Sequence, residues 1–157
     1  MVKFPEDSAE RELLRALQLD SQPSLRELSR QLGLPISTVH EKIKRLERDG
    51  YIKGYVALLD EKKLGYAVTG IVLVSVTYSG DKTVSQKAIA EKIAKLPNVQ
   101  EVHIITGDWD LAVKVKATGI DTLGTLVTEK LRNIHGVGKT LSMVAYETIK
   151  EERTLSL

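Results

Sequence analysis

An α+β chain in two parts, a small helical unit followed by a βαββαβ sandwich, is what this sequence predicts. Three observations predict it. Residues 24–48, SLRELSRQLGLPISTVHEKIKRLER, read as two short helices around a Gly33-Leu34-Pro35 break, the layout of a helix-turn-helix. From residue 68 the hydrophobic period alternates between strand and helix in the order βαβ, twice over. Strand 68–78 is apolar on both of its sides, so its sheet needs cover on both faces.

Asp7 and Glu10 are placed to cap a first helix running to about Leu19, whose Leu13, Leu14 and Leu17 close a three-helix core. Ser24 and Glu27 have capping-box spacing at the start of the second helix. Leu25, Leu28 and Leu32 form its apolar stripe. Gly33 suits the left-handed residue that ends a helix, and Pro35 presets the backbone for the next one. In that third helix Val39, Ile43 and Leu46 face inward. At 100° per residue Ser37, Glu41, Lys44, Arg45 and Arg48 face out, with Thr38, His40 and Lys42 on the flanks. Such a face suits the DNA major groove: Arg and Lys fit phosphates and guanine edges, and Ser, Thr and His donate to either. The bland alternative is a helical hairpin with a solvated charged face. Asp49-Gly50 ends the helix. YIKGYVALL, 51–59, is β-rich with a central Gly and predicts a wing or hairpin. The polar, Gly-ended 60–65 stretch is the expected hinge.

Beyond it, 68–78, 99–106, 111–117 and 140–149 read as strands, with helices over 84–96 and 121–134. A ferredoxin-like split βαβ sandwich is the simplest packing of that order, with both helices on one face of an antiparallel sheet. In the first strand Ile71 and Leu73 face one way and Val72, Val74 and Val76 the other. In the last, Leu141, Met143 and Ala145 oppose Val144 and Tyr146. Covering the second face is cheapest with the same sheet of another subunit, so a homodimer is expected. The expected boundaries are 1–50 for the DNA-binding unit, 51–66 for wing and linker, 67–150 for the second domain and 151–157 for a tail.

Composition excludes more than it identifies. The chain has 157 residues, a hydrophobic share of 42% and a net charge of +2, which fits a globular protein and is too small a charge to argue for nucleic acid. DNA affinity must come from local clustering, which Lys42, Lys44, Arg45, Arg48 and Lys53 supply. No cysteine is present, so disulfides and thiolate metal sites are excluded. No apolar run reaches membrane-spanning length, and MVKFPEDSAERE lacks the core of a signal peptide, so a cytoplasmic location is expected. The 28% charged fraction with few Met and no Cys suits a heat-adapted protein. Gly138-Lys139-Thr140 resembles the end of a P-loop, but Asn133 stands where that motif needs Gly, and the stretch joins a helix to a strand, the reverse of a P-loop. His40, His103 and His135 have no metal-ligand spacing. No catalytic constellation is evident; neither cofactor nor metal is expected.

LRELSRQLGLPISTVHEKIKRLERDGYIKGYVALLD, followed by a βαββαβ domain containing ITGDWDL, resembles the Lrp/AsnC, or feast/famine, regulators from about Asp7 to Lys150. The resemblance implies a winged helix-turn-helix ahead of a RAM/ACT-like ligand-sensing domain. It implies dimers assembling to octamers on double-stranded DNA, and a small effector, usually an amino acid, bound between subunits. Carried onto this chain, it places Ser24, Ser37, Thr38, His40, Glu41, Lys42, Lys44, Arg45 and Arg48 at the DNA. Glu41 departs from the basic or neutral residue of many relatives; a carboxylate there is repelled by phosphate but can accept from cytosine N4, and its structural reading is an i,i+4 pair with Arg45. The resemblance also places Thr106, Gly107, Asp108, Trp109 and Asp110 in the effector pocket, with Thr140 and Ser142 reaching it. As residues alone, 106–110 read as a β-turn with Trp109 on the core. The two acids favour a ligand bearing an ammonium, such as glutamine, lysine or arginine. Two other readings remain: an enzyme like the haem-biosynthesis decarboxylases that resemble this family, which would bind a tetrapyrrole, and a DNA-compacting architectural protein.

Overall fold

The computed structural model describes residues 7–20, 23–77 and 85–157. The chain divides into two compact units, Met1–Leu59 with Lys150–Leu157, and Asp60–Ile149.

In the first unit the helices among the described residues are α1 (Ser8–Leu19), α2 (Leu25–Leu32) and α3 (Ile36–Arg48). Each boundary has a chemical cause. The Asp7 carboxylate accepts from the Ala9 N–H at 3.0 Å and caps α1. The capping box at α2 is complete: Glu27 N–H donates to Ser24 Oγ at 3.2 Å, and Ser24 N–H donates to Glu27 Oε2 at 2.7 Å. That bonding also holds the Glu27 carboxyl below its ordinary pKa. Gly33, at φ 65°, ends α2 in the left-handed region. Leu13, Leu28, Val39 and Leu46 are at most 1% exposed and form the core of the unit. Burying such a side chain contributes about 1.5–3 kcal/mol. Residues 150–157 return to α1, where Leu155 N–H donates to Gln18 Oε1 at 2.6 Å and Arg15 Nε donates to the Leu157 carbonyl at 2.6 Å.

No strand forms over 51–59, where a wing or hairpin was expected. A strand needs a partner to take its backbone groups, and no strand of the described residues pairs with this run.

The second unit runs β1 (Val68–Val76), α4 (Gln86–Ile93), β2 (Val99–Ile104), β3 (Leu111–Ala117), α5 (Ile120–Thr125) and β4 (Val137–Val144). Its sheet is antiparallel in the order β2-β3-β1-β4, the split βαβ arrangement. After Thr125 the helix widens into a π-helical stretch, Leu126–Leu131, in which Arg132 N–H reaches the Val127 carbonyl. Val72, Val74 and Val76 of β1 and Leu111, Val113 and Val115 of β3 share one core with Ile89 and Ile93 of α4 and Leu123, Leu126 and Leu131, so both helical segments cover the same face. Gly70 lets the second helix approach: an added Cβ would lie 2.9 Å from the Leu123 methyls.

The last strand spans 137–144 rather than 140–149. Its register is set by β1, from Val76↔Val137 to Gly70↔Val144, across an irregularity near Ser75. There Ser75 Oγ accepts from Lys139 N–H at 2.7 Å, and Gly138 leaves room for it. Gly138-Lys139-Thr140 is therefore part of a strand. Tyr78, where the first strand was expected to end, and Val84, where the next helix was expected to begin, lie with residues 79–83 outside the described residues.

The outer face of the sheet has two halves. Towards β2 it is polar: Lys116 is 6% exposed and ion-paired with Glu61, and Lys114 pairs with Glu101 at 3.2 Å. Glu101, which also meets His103 at 3.2 Å, has its pKa lowered, chiefly by the His103 contact and then by Lys114. Towards β4 it is apolar: the register sets Ile71 beside Met143 and Leu73 beside Leu141.

Candidate DNA interface and effector loop

Helix α3 presents a continuous outward stripe. Ser37, Glu41, Lys44 and Arg48 follow one another at i, i+4, i+7 and i+11, all exposed, with His40 exposed beside them. Lys44 Nζ bonds Glu47 at 3.0 Å and Arg48 Nε bonds Asp49 at 3.2 Å, loose surface pairs that water or phosphate can replace. Glu47 also accepts from the Tyr55 hydroxyl at 3.2 Å. Its carboxyl is held below its ordinary pKa, first by Lys44, while partial burial and then Glu47 raise that of Tyr55. The N-terminal end of such a helix is the part that reaches base edges, and here it carries Ser37, Thr38 and His40.

Lys42 and Arg45 are placed differently from the rest of the expected set. Both turn back to α1: Lys42 Nζ pairs with Asp7, and Arg45 Nη2 pairs with Glu10. The Lys42 side chain is 15% exposed, Arg45 47% and Glu10 9%. The expected Glu41–Arg45 pair does not form, because a buried carboxylate on the neighbouring helix takes the guanidinium. Sequence reasoning gave Glu10 a capping role only. Its position one turn along from Asp7, on the side of α1 that carries Leu13, was the available signal. Ser24 lies at the start of α2, where its hydroxyl caps the helix.

In the second unit Thr106, Gly107 and Asp108 are exposed between β2 and β3, and Trp109 is half-buried. Gly107, at φ 117°, takes a backbone conformation that L side chains rarely adopt. Asp110 is built into the fold. Its Oδ2 accepts from Val76 N–H at 2.7 Å, its Oδ1 accepts from the Gln86 amide, and its own N–H donates to the Val74 carbonyl at 3.0 Å. The residue thus ties the end of β1 to the start of α4. Thr140 and Ser142 pair across from Val74 and Val72, which puts them on the helix side of the edge strand. Thr140 Oγ1 accepts from Arg132 Nε at 2.9 Å. Val74 stands between Leu111 and Thr140, so the loop and Thr140 share one end of the sheet. Among the described residues no group of three or more His, Asp or Glu is placed to hold a metal ion.

Two family models match the chain along these same elements. Residues 6–53 match a winged helix-turn-helix DNA-binding model, and residues 71–155 match the Lrp/AsnC ligand binding domain. The chain belongs to the Lrp/AsnC family. It is a DNA-binding transcription regulator, and neither matched model describes a catalytic domain. An HTH-type transcriptional regulator of Pyrococcus abyssi is 42% identical over 146 residues, spanning 93% of this chain and 96% of that one. One of Pyrococcus furiosus is 43% identical over the same shares. The solved complex of a Neisseria meningitidis transcriptional regulator with L-Met is 25% identical, with a TM-score of 0.87 and 96% of each chain covered. Both relatives come from Pyrococcus, whose members are archaeal thermophiles, in agreement with the heat-adapted character that the composition suggested. Among the described residues no helix is long and apolar enough to cross a membrane.

Proposed function

We propose that this Lrp/AsnC regulator binds specific double-stranded DNA sites in the cytoplasm as a homodimer or a larger ring such as an octamer. In this reading a small amino acid, bound at subunit interfaces of the second domain, modulates DNA binding or assembly. The observation that carries the DNA reading is the exposed Ser37–Glu41–Lys44–Arg48 stripe on α3, flanked by Thr38 and His40. Lys44 and Arg48 supply phosphate or guanine contacts. Glu41 accepts from cytosine N4.

The amino-acid effector is supported by the methionine complex of the Neisseria relative and by the backbone of the 106–108 turn. Thr106, Gly107 and Asp108 are exposed residues, and backbone N–H groups and a carboxylate in such a turn suit the carboxylate and ammonium of an amino acid. Glutamine, lysine and arginine are the first candidates. Trp109 reports on the site. Asp110, whose oxygens already serve Val76 and Gln86, shapes the RAM/ACT-like pocket from behind rather than entering it. Thr140 and Ser142 line its rim. The apolar half of the outer sheet face, Ile71, Leu73, Leu141 and Met143, supports pairing of two subunits through their sheets. Residues 1–50, 51–66 and 67–150 then act as reader, linker and sensor, with 151–157 as a tail.

Footprinting on DNA upstream of the protein's own gene, with and without each amino acid, tests this reading. Protection of a defined site that one amino acid strengthens or abolishes is expected. Equal protection of all DNA, unchanged by any amino acid, would instead favour an architectural protein.

A further inference from the structure

Asp7, the N-cap of α1, and Glu10 in its first turn face Lys42 and Arg45 of α3; the Lys42 side chain is 15% exposed, and that of Arg45, 47% exposed, bends back to α1. Asp7 holds Lys42, and Glu10, 7% exposed, holds Arg45. Glu12, on the same helix, is exposed. A carboxylate as buried as Glu10 is retained only with its partner in place, because an unpaired buried charge is costly. The arrangement therefore does two things at once. It locks the rotation of α3 against α1, so that one stripe and not its neighbour faces outward. It also neutralises two cations that would otherwise reach for phosphate wherever the helix met DNA.

We propose that Asp7 and Glu10 are positioning residues for DNA readout. By engaging Lys42 and Arg45 they fix the register of the recognition helix and withhold two charges from sequence-independent phosphate binding. The device restrains non-specific affinity and so raises the ratio of specific to random binding. It rests on the reading of α3 as the recognition helix.

The salt dependence of binding to a random-sequence duplex tests this, because its slope counts phosphate contacts at about 0.9 per contact. Glu10→Gln releases Arg45 and should steepen the slope by about one contact per subunit. The affinity ratio between about 50 and 200 mM salt then grows roughly threefold per subunit. Asp7→Asn should act in the same direction through Lys42. Glu12→Gln removes the same charge from the same helix without freeing a cation and should leave the slope at the wild-type value. The double variant Glu10→Gln/Arg45→Gln should return the slope to wild type. A merely structural role for Glu10 would lower the melting temperature and leave the slope unchanged, which overturns the proposal. If Glu10→Gln does not fold, Asp7→Asn decides, its carboxylate being 40% exposed and safer to alter. A wild-type protein that binds no duplex would overturn the DNA-binding reading itself, an outcome distinct from an unaltered slope.

Discussion

Leu73 and Val74 are adjacent in β1, and a glutamate at each should fail in a different way. Val74 is 0% exposed in the core beneath both helical segments. Val74→Glu loses about 1.5–3 kcal/mol of apolar burial. It also forces a carboxyl into a site with no ionic partner, costing several kcal/mol more even if the group takes up a proton. That total rivals the roughly 5–15 kcal/mol stability of a small domain, so the second unit should unfold. Leu73 is half-buried on the outer face beside Leu141, itself 45% exposed. Leu73→Glu therefore leaves the carboxylate within reach of water in an isolated subunit and should cost about 1 kcal/mol there. In a sheet-to-sheet dimer the same change puts two like charges into a desolvated interface and should break it. Circular dichroism melts and light scattering at micromolar concentration separate the outcomes: unfolded for Val74→Glu, folded and monomeric for Leu73→Glu. A wild type that is monomeric under those conditions, or a Leu73→Glu variant that remains fully assembled, would refute the reasoning.

Three further outcomes follow from the contacts described. Arg45→Ala should destabilise the first unit by about 1–3 kcal/mol in a urea melt, because it leaves the buried Glu10 carboxylate without its half-exposed partner; unchanged stability would count against a structural pair. Asp110→Ala should lower the melting temperature of the effector-free protein by the equivalent of about 1–3 kcal/mol, whereas Asp108→Ala should leave it alone and weaken amino-acid binding measured by Trp109 fluorescence. The hydrogen bond from Lys42, seconded by Ala9 N–H, lowers the Asp7 pKa below its ordinary 3.8. A lowered folded-state pKa means that the contribution of Asp7 is fully present above the ordinary value and is lost as pH falls through the lowered one. Melting temperatures should thus drop below about pH 4, and Asp7→Asn should flatten that drop; equal pH profiles would contradict it.

The parts legible in the sequence were those governed by local chemistry. The Ser24/Glu27 box, Gly33 and the Leu28, Val39 and Leu46 stripes fixed α2 and α3 with little dependence on anything distant. The alternation after residue 68 gave the order of elements, and the two-sided apolarity of β1 separated its inward valines from Ile71 and Leu73. What sequence could not settle depended on partners far along the chain. Arg45 on a helical wheel points outward, and only the approach of α1 brings Glu10 to it. Asp110 in a turn reads as a free acid until Val76 and Gln86 arrive from two other elements. The 51–59 run has strand composition, but composition does not supply a partner. The bounds of β4 follow from the register of β1 and the irregularity at Ser75, which hydrophobic periodicity does not encode.

The central claim, an amino-acid-sensing DNA regulator, is tested most directly by one titration. A fluorescent duplex from upstream of the protein's own gene is bound at fixed salt, and each amino acid is added to millimolar concentration while anisotropy and Trp109 emission are followed. The account predicts that the duplex binds more tightly than a random one. It also predicts that at least one amino acid changes the dissociation constant about fivefold or more, the usual scale of coupling between two sites, together with a change in Trp109 emission. Equal affinity for both duplexes, with no amino acid moving either signal, would contradict it.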